Sequence, residues 1–319
     1  MTAKLDIKYN ESSFTSHIDG KQIFYREWTP PAGIVPRAVV QITHGICEHS
    51  GRYDRFARYL CTRGYAAVAL DLRGHGRTAG EAGLGQAGLT AWADMLGDMA
   101  QLSKLVLGTY DGLPLIAFGH SMGSALTQAH IQGCGHLLAG AVLCGTMGAL
   151  PGIDDEVLDQ LKAAAHSADA NQPSMILAGV LKAFNAPFEQ ADRPPTGCEW
   201  MTADQTEIQR FLDDGLCGKP FSNSMMYSVA EGFRNLWIAQ NESRIPVDLP
   251  ILIVAGTRDP VGASTHSIQS LITRYMKQGH LALAYRFYPG DRHEILNDRN
   301  KDLVHYDIVS WLDAVLNRR

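Results

Sequence analysis

The sequence predicts an α/β fold: a mostly parallel central sheet with helices on both faces and an inserted helical cap. Three observations predict it. Short apolar runs, most of them rich in β-branched residues, recur at 38–43, 65–71, 113–118, 138–144 and 251–255, and such runs suit strands buried on both faces. Helical patterns separate them, the alternation expected of a parallel sheet covered on both sides. The rhythm then lapses for roughly 100 residues between the fourth and fifth runs, far more than a crossover connection needs.

Taken in chain order, residues 16–28 carry Ile18, Ile23, Tyr25 and Trp28 around Asp19-Gly20, a hairpin signal that predicts an antiparallel pair at the sheet edge. The run at 38–43 follows. Residues 53–63 read as a helix with Tyr53, Phe56 and Leu60 on one face and Gly64 ending it. A second helix is expected over 90–107, a third just after Ser121, and the last over 303–316 with Ile308, Trp311, Leu312 and Val315 as its apolar stripe. The expected division is a core of 1–146 and 249–319 interrupted by a cap of 147–248. Inside the cap, 155–167 and 174–184 look helical, and Arg193-Pro-Pro195 breaks the pattern. Ile176, Leu177, Val180, Leu181 and Phe184 form one stripe, read as a packing face, with a lipid-contacting surface as the alternative.

Composition narrows the function. A chain of 319 residues, 45% hydrophobic and 19% charged, is no disordered protein. At this length folding buries about 75% of the chain's surface, ample for a core without disulfides or a structural metal. The 28 Lys and Arg against 33 Asp and Glu, a net charge of -5 with no basic run, give a nucleic-acid backbone little to attract it. Six cysteines without a C-x-x-C pair read as reduced thiols and a cytoplasmic address. Residues 1–10 show no secretory pattern, and no run reaches the roughly 18 apolar residues of a membrane span.

The chemistry is carried by Gly119-His120-Ser121-Met122-Gly123, placed between an apolar strand and a helix. A sharp strand-to-helix turn exposes the serine hydroxyl, the glycines avoid collisions, and the following helix points its N-terminal amides at the site. A serine hydroxyl needs a base, and an imidazole oriented by a carboxylate supplies one. Downstream, Asp259 follows the strand at 251–255, and His293 follows the strand-like 284–288. Both sit at the C-terminal strand ends where open parallel sheets collect their sites. Asp291 and Asp298 lie too near His293 to come from a separate strand end, and no other histidine occupies the loop before the final helix. The oxyanion requires donors, expected from the backbone amides of Met122 and of Ile46, in the Gly-opened turn after 38–43. His44 reads as a structural group under that loop.

Gly83-Leu-Gly85-Gln-Ala-Gly88 imitates a dinucleotide fingerprint, but no apolar strand precedes it. His293-Glu294 lacks a second histidine at zinc-ligand spacing. No cofactor and no metal are expected.

With these residues in hand, the chain resembles the monoacylglycerol lipases and lysophospholipases of the serine α/β-hydrolase superfamily, over nearly its whole length outside the cap. The resemblance rests on His44-Gly-Ile-Cys-Glu-His-Ser-Gly-Arg-Tyr53, Asp71-Leu-Arg-Gly-His-Gly-Arg77, the serine turn, Arg258-Asp-Pro-Val261 and Arg292-His-Glu-Ile-Leu-Asn297. It implies Ser121, Asp259 and His293 as a triad, the Ile46 and Met122 amides as oxyanion hole, and Glu48 and Arg52 ordering the polar end of the pocket. Arg73 and His75 are implied as braces. Relatives commonly carry glycine where Cys47 stands, which puts a thiol near the bound ester and suggests sensitivity to thiol reagents. The implied substrate is a single-chain acylglycerol or lysolipid, with broad carboxylesterase activity as the alternative and a non-catalytic binding module as a third reading. The apolar cap is a candidate for peripheral membrane contact.

Overall fold

A computed structural model describes residues 6–149, 152–192 and 194–318, so Arg193 of the expected Pro-rich break lies outside the described residues, as do residues 1–5. Eight strands form one sheet: β1 (Lys8–Thr15), β2 (Gln22–Thr29), β3 (Val39–Thr43), β4 (Ala66–Leu70), β5 (Leu115–His120), β6 (Gly140–Cys144), β7 (Ile251–Gly256) and β8 (Leu283–Tyr288). Their spatial order is β1-β2-β4-β3-β5-β6-β7-β8, with β2 antiparallel to both its neighbours and every later pairing parallel. Ahead of the long insertion stand α1 (Asp54–Thr62), α2 (Gly76–Ala79), α3 (Ala91–Thr109) and α4 (Met122–Cys134). Between β6 and β7 come α5 (Asp155–Ala165), α6 (Met175–Asn185), α7 (Gln205–Asp213), α8 (Asn223–Leu236) and α9 (Ala239–Glu242). The chain closes with α10 (His266–Lys277) and α11 (Lys301–Leu316).

Every residue of β3 to β7 is buried, which is why these strands read as mostly apolar runs. Their alternating side chains feed two cores. Val39, Ala66, Val68, Ile251 and Ile253 face one side with α3, α4 and α10, while Val40, Ile42, Leu252 and Val254 face the other with α1 and α11. The edge hairpin differs from expectation at its first strand. The turn does fall at Asp19-Gly20, where Gly20 has φ 78°, but β1 lies before residue 16 and Ile18 sits exposed in the turn. β1 is largely exposed and buries Phe14, so it carries no apolar signature.

The insertion packs α5 against α8, and α8 in turn against α3 and α4. α6 buries Leu177 but turns Leu177, Val180, Leu181 and Phe184 toward a cavity beside Ser121. The stripe read as a packing face is therefore mostly a cavity wall. All six cysteines are free thiols. No described helix is long and apolar enough to cross a membrane.

Candidate active site

Ser121 stands in the turn from β5 to α4 with φ 55° and ψ −123°, a region L-residues avoid at a cost of about 1–3 kcal/mol. The turn is over-determined. The Ser121 amide donates to the Cys144 carbonyl at 3.0 Å. A Cβ at Gly119 would collide with the Gly123 carbonyl and the Thr127 hydroxyl, and one at Gly123 with the carbonyls of Thr43 and His44. The two glycines thus let α4 start against β3 and β5, with Ser121 at the crest.

Asp259 follows β7 and is fully buried, its Oδ1 accepting the Val261 amide at 2.9 Å. His293 follows β8, and its Nδ1 donates to both Asp259 oxygens at 2.9 and 3.0 Å. Gly256 makes this meeting feasible, because a Cβ there would strike the Asp291 and Arg292 carbonyls. With the Nδ1 proton fixed by the accepting Asp259 carboxylate, Nε2 carries the lone pair. That nitrogen is buried and has no hydrogen-bond partner among the described residues, and His293 and Ser121 line the same cavity of about 590 Å³. Ser121 Oγ does not hydrogen-bond Nε2 here, as is common in unliganded sites where such bonds tighten only around substrate. Burial alone would lower the His293 pKa, but the Asp259 carboxylate outweighs it and the net displacement is upward.

The loop after β3 is held from beneath by two neutral histidines. His44 donates from Nδ1 to the Gly45 carbonyl at 2.8 Å and accepts the Leu72 amide at Nε2 at 2.9 Å. His75 donates from Nδ1 to the Arg73 carbonyl and accepts the Cys47 amide at Nε2. Burial pushes the His75 pKa down to about 3, so it stays an acceptor. The amides of Ile46 and Met122 donate to no backbone carbonyl or side chain among the described residues. Cys47 has φ 57°, the left-handed conformation glycine adopts freely, and burial pushes its thiol up to about 12. A thiol so protonated is a poor nucleophile, which opposes the sensitivity to thiol reagents expected from sequence.

Glu48 and Arg52 separate. Glu48 lines the cavity, accepting the Gly45 amide at 2.6 Å, the Tyr53 hydroxyl at 2.7 Å and Arg52 at 2.8 Å. Although burial opposes ionisation, Arg52 holds the Glu48 carboxyl below the usual range. Arg52 stands behind it, outside that cavity, in a two-bond pair with Glu294 at 2.6 and 2.7 Å and over the Phe211 ring. Sequence reasoning missed Glu294, although it follows His293 directly. It also missed Trp200, which packs on His293 from the insertion. Of the expected braces, His75 supports the loop, whereas Arg73 pairs with Asp19 and Asp98, tying the hairpin turn to α3. Gly85, from the false dinucleotide motif, instead admits the Pro220 carbonyl, which a Cβ would strike.

Two cavities meet at Ser121. Glu48, His120, His293 and Glu294 contribute the polar side of the larger one. The second, about 70 Å³, is apolar and lined by residues that include Met147, Val180, Phe184, Met226 and Phe233. His49, Asp214 and Cys217 cluster nearby, but His49 Nδ1 accepts the Gly51 amide, so its Nε2 carries the proton given to Asp214 at 2.8 Å and is no ready metal ligand.

Residues 35–300 match the model of a hydrolase family described as serine aminopeptidase, S33. A monoacylglycerol lipase of Mycolicibacterium smegmatis is 28% identical over 310 residues, 95% of this chain and 96% of that one. A non-heme haloperoxidase of Rhodococcus erythropolis is 27% identical over 313 residues, 94% of this chain and 99% of the relative. Among solved structures, a thermostable carboxyl esterase from Bacillus coagulans in complex with glycerol superposes with a TM-score of 0.87 at 29% identity, covering 97% of this chain and 99% of the esterase. The chain belongs to the S33 family of serine α/β-hydrolases and, within it, is a hydrolase of the monoacylglycerol lipase type.

Proposed function

We propose that this protein cleaves the carboxylic ester of monoacylglycerols to fatty acid and glycerol through an acyl-enzyme. Ser121 attacks the carbonyl, His293 Nε2 takes its proton, and Asp259 orients the imidazole and stabilises its charged form. The amides of Ile46 and Met122, backed by the N-terminus of α4, receive the oxyanion. His293 then returns the proton to the glycerol oxygen, and water repeats the sequence on the acyl-enzyme. Glu48 borders the polar cavity, kept charged and in place by Arg52, which Glu294 holds from behind. The segment 147–248 acts as the cap that shelters the acyl chain.

The observation that carries this reading is the free, buried Nε2 of an Asp259-bound His293 in the cavity that Ser121 lines. The apolar second cavity supports an acyl chain on the side away from His293, leaving the polar side for a glycerol whose oxygen must receive the His293 proton. Comparison of kcat/KM on 1-monoacylglycerol, lysophosphatidylcholine and simple p-nitrophenyl esters tests it. The acylglycerol is expected to lead. A preference for the choline lipid overturns the substrate, and absence of ester cleavage overturns the mechanism.

A further inference from the structure

His293 is held by more than Asp259. The His120 ring packs on it at 4.7 Å between centroids, and the Trp200 indole packs at 4.9 Å with only 30° between planes. His120 comes from the end of β5, but Trp200 comes from the insertion and is itself buried. The insertion is bonded to the His293 loop almost residue by residue. The Trp200 carbonyl accepts the His293 amide at 3.5 Å and the Met201 carbonyl accepts the Glu294 amide at 2.7 Å. The Glu199 and Thr202 carbonyls accept the Arg292 guanidinium, and the Ala203 amide donates to Asp298 at 3.0 Å. On its other side Trp200 packs on Phe184 of α6 at 5.5 Å, and its amide donates to Asn185 at 3.1 Å. This network fixes an indole that lines both cavities and touches the imidazole.

We propose that Trp200 is a positioning residue for the general base: the insertion lends the core an aromatic face that holds the His293 ring where Asp259 aims it and stabilises the imidazolium as the Ser121 proton arrives. A cation over an indole face within about 6 Å is attracted by the ring quadrupole, most strongly where water is excluded. The charged and titratable groups around the imidazole are Asp259 from the β7 loop, Glu294 from its own loop, Glu48 from the β3 loop and His120 from β5. Trp200 supplies a neutral face among them. The inference rests on His293 serving as the base.

The test compares Trp200→Leu and Trp200→Phe with the wild type on p-nitrophenyl acetate, a substrate too small to fill the cap. Rates are normalised to sites titrated with a fluorophosphonate, and folding is read by circular dichroism. Trp200→Leu is expected to lower kcat about 10-fold with KM within twofold. It should also move the acidic limb of kcat/KM down by about 0.5 pH unit, with Trp200→Phe restoring most of both. A merely steric wall predicts the opposite sign, because water admitted past a smaller side chain relieves the burial that depresses the imidazolium. An unmoved or raised limb in Trp200→Leu overturns the inference. Trp200→Met replaces the leucine variant if that fails to fold. A wild type without ester hydrolysis or without label on Ser121 would instead overturn the triad reading.

Discussion

The rim of the sheet and the insertion above it are built on different principles. At the rim, Ser121 and Asp259 hang from strands buried on both faces and His293 from the partly exposed edge strand β8, in turns where a Cβ at Gly119, Gly123 or Gly256 would strike a neighbouring carbonyl. The described part of the insertion holds five α-helices; α8 packs on α3 and α4 of the core, and two stems are bonded to the rim. Residues 199–203 bind the His293 loop, and 214–222 bind the opposite side through His49–Asp214, the Gly218 amide on the Cys47 carbonyl and the Ser222 amide on the Gly85 carbonyl. α6 runs between those stems, its N-capping Ser174 amide donating to the Phe221 carbonyl and its Asn185 accepting the Trp200 amide, with its apolar stripe on the cavity and Met175 79% exposed. The difference teaches that on the proposed mechanism the bond-making groups belong to the rim, while the insertion supplies most of the apolar cavity wall, so mutations of that wall away from Trp200 should change selectivity more than rate.

The largest break should come at the rim. Asp259→Asn is expected to lower kcat by about 10⁴ on every ester, because the amide stabilises the wrong imidazole tautomer while leaving the fold intact. Activity within tenfold of wild type would place the orienting role elsewhere. Acid should also act first through the core. Burial pulls the pKa values of His120, His130 and His305 down to about 4, below the unfolded value near 6.5, so the unfolded chain binds more protons between those limits. Stability is then intact above about pH 6.5 and falls by a few kcal/mol toward pH 4. Denaturant titrations across that range check it, and a flat profile would contradict the assignment of buried neutral imidazoles.

The insertion should respond more gently and selectively. Phe233→Ala opens the apolar cavity, and since each buried methylene contributes about 0.8 kcal/mol, kcat/KM should rise several-fold for longer acyl chains relative to shorter ones. Hydrolysis of p-nitrophenyl acetate should stay within twofold; an equal fall on all chain lengths would erase the distinction between the regions. Smallest of all, Cys47→Gly relieves a left-handed backbone at the cost of a buried side chain. Thermal unfolding should shift by the equivalent of about 1 kcal/mol or less, with near wild-type kcat. A large loss of activity would mean that the thiol itself shapes the oxyanion loop.

Legibility in the sequence followed the same line. β3 to β7 could be read because burial on both faces leaves few polar positions, and the serine turn because glycine is its steric requirement. β1 could not, since a strand that buries little beyond Phe14 has no pattern. Glu48 and Arg52 were visible as neighbours four residues apart, but Glu294, which completes their network, joins from 242 residues away through tertiary folding. Trp200 had no signal, because its meaning arises only when the insertion lays it on a ring carried by another segment.

The most direct measurement of the central claim is covalent. Reaction with a fluorophosphonate, followed by intact mass and peptide mapping, should add one phosphonyl group per chain at Ser121, with loss of ester hydrolysis in proportion and no labelling of His293→Ala on the same timescale. Full hydrolytic activity in a chain left unlabelled, or a label on another residue, would contradict a serine activated by Asp259-bound His293.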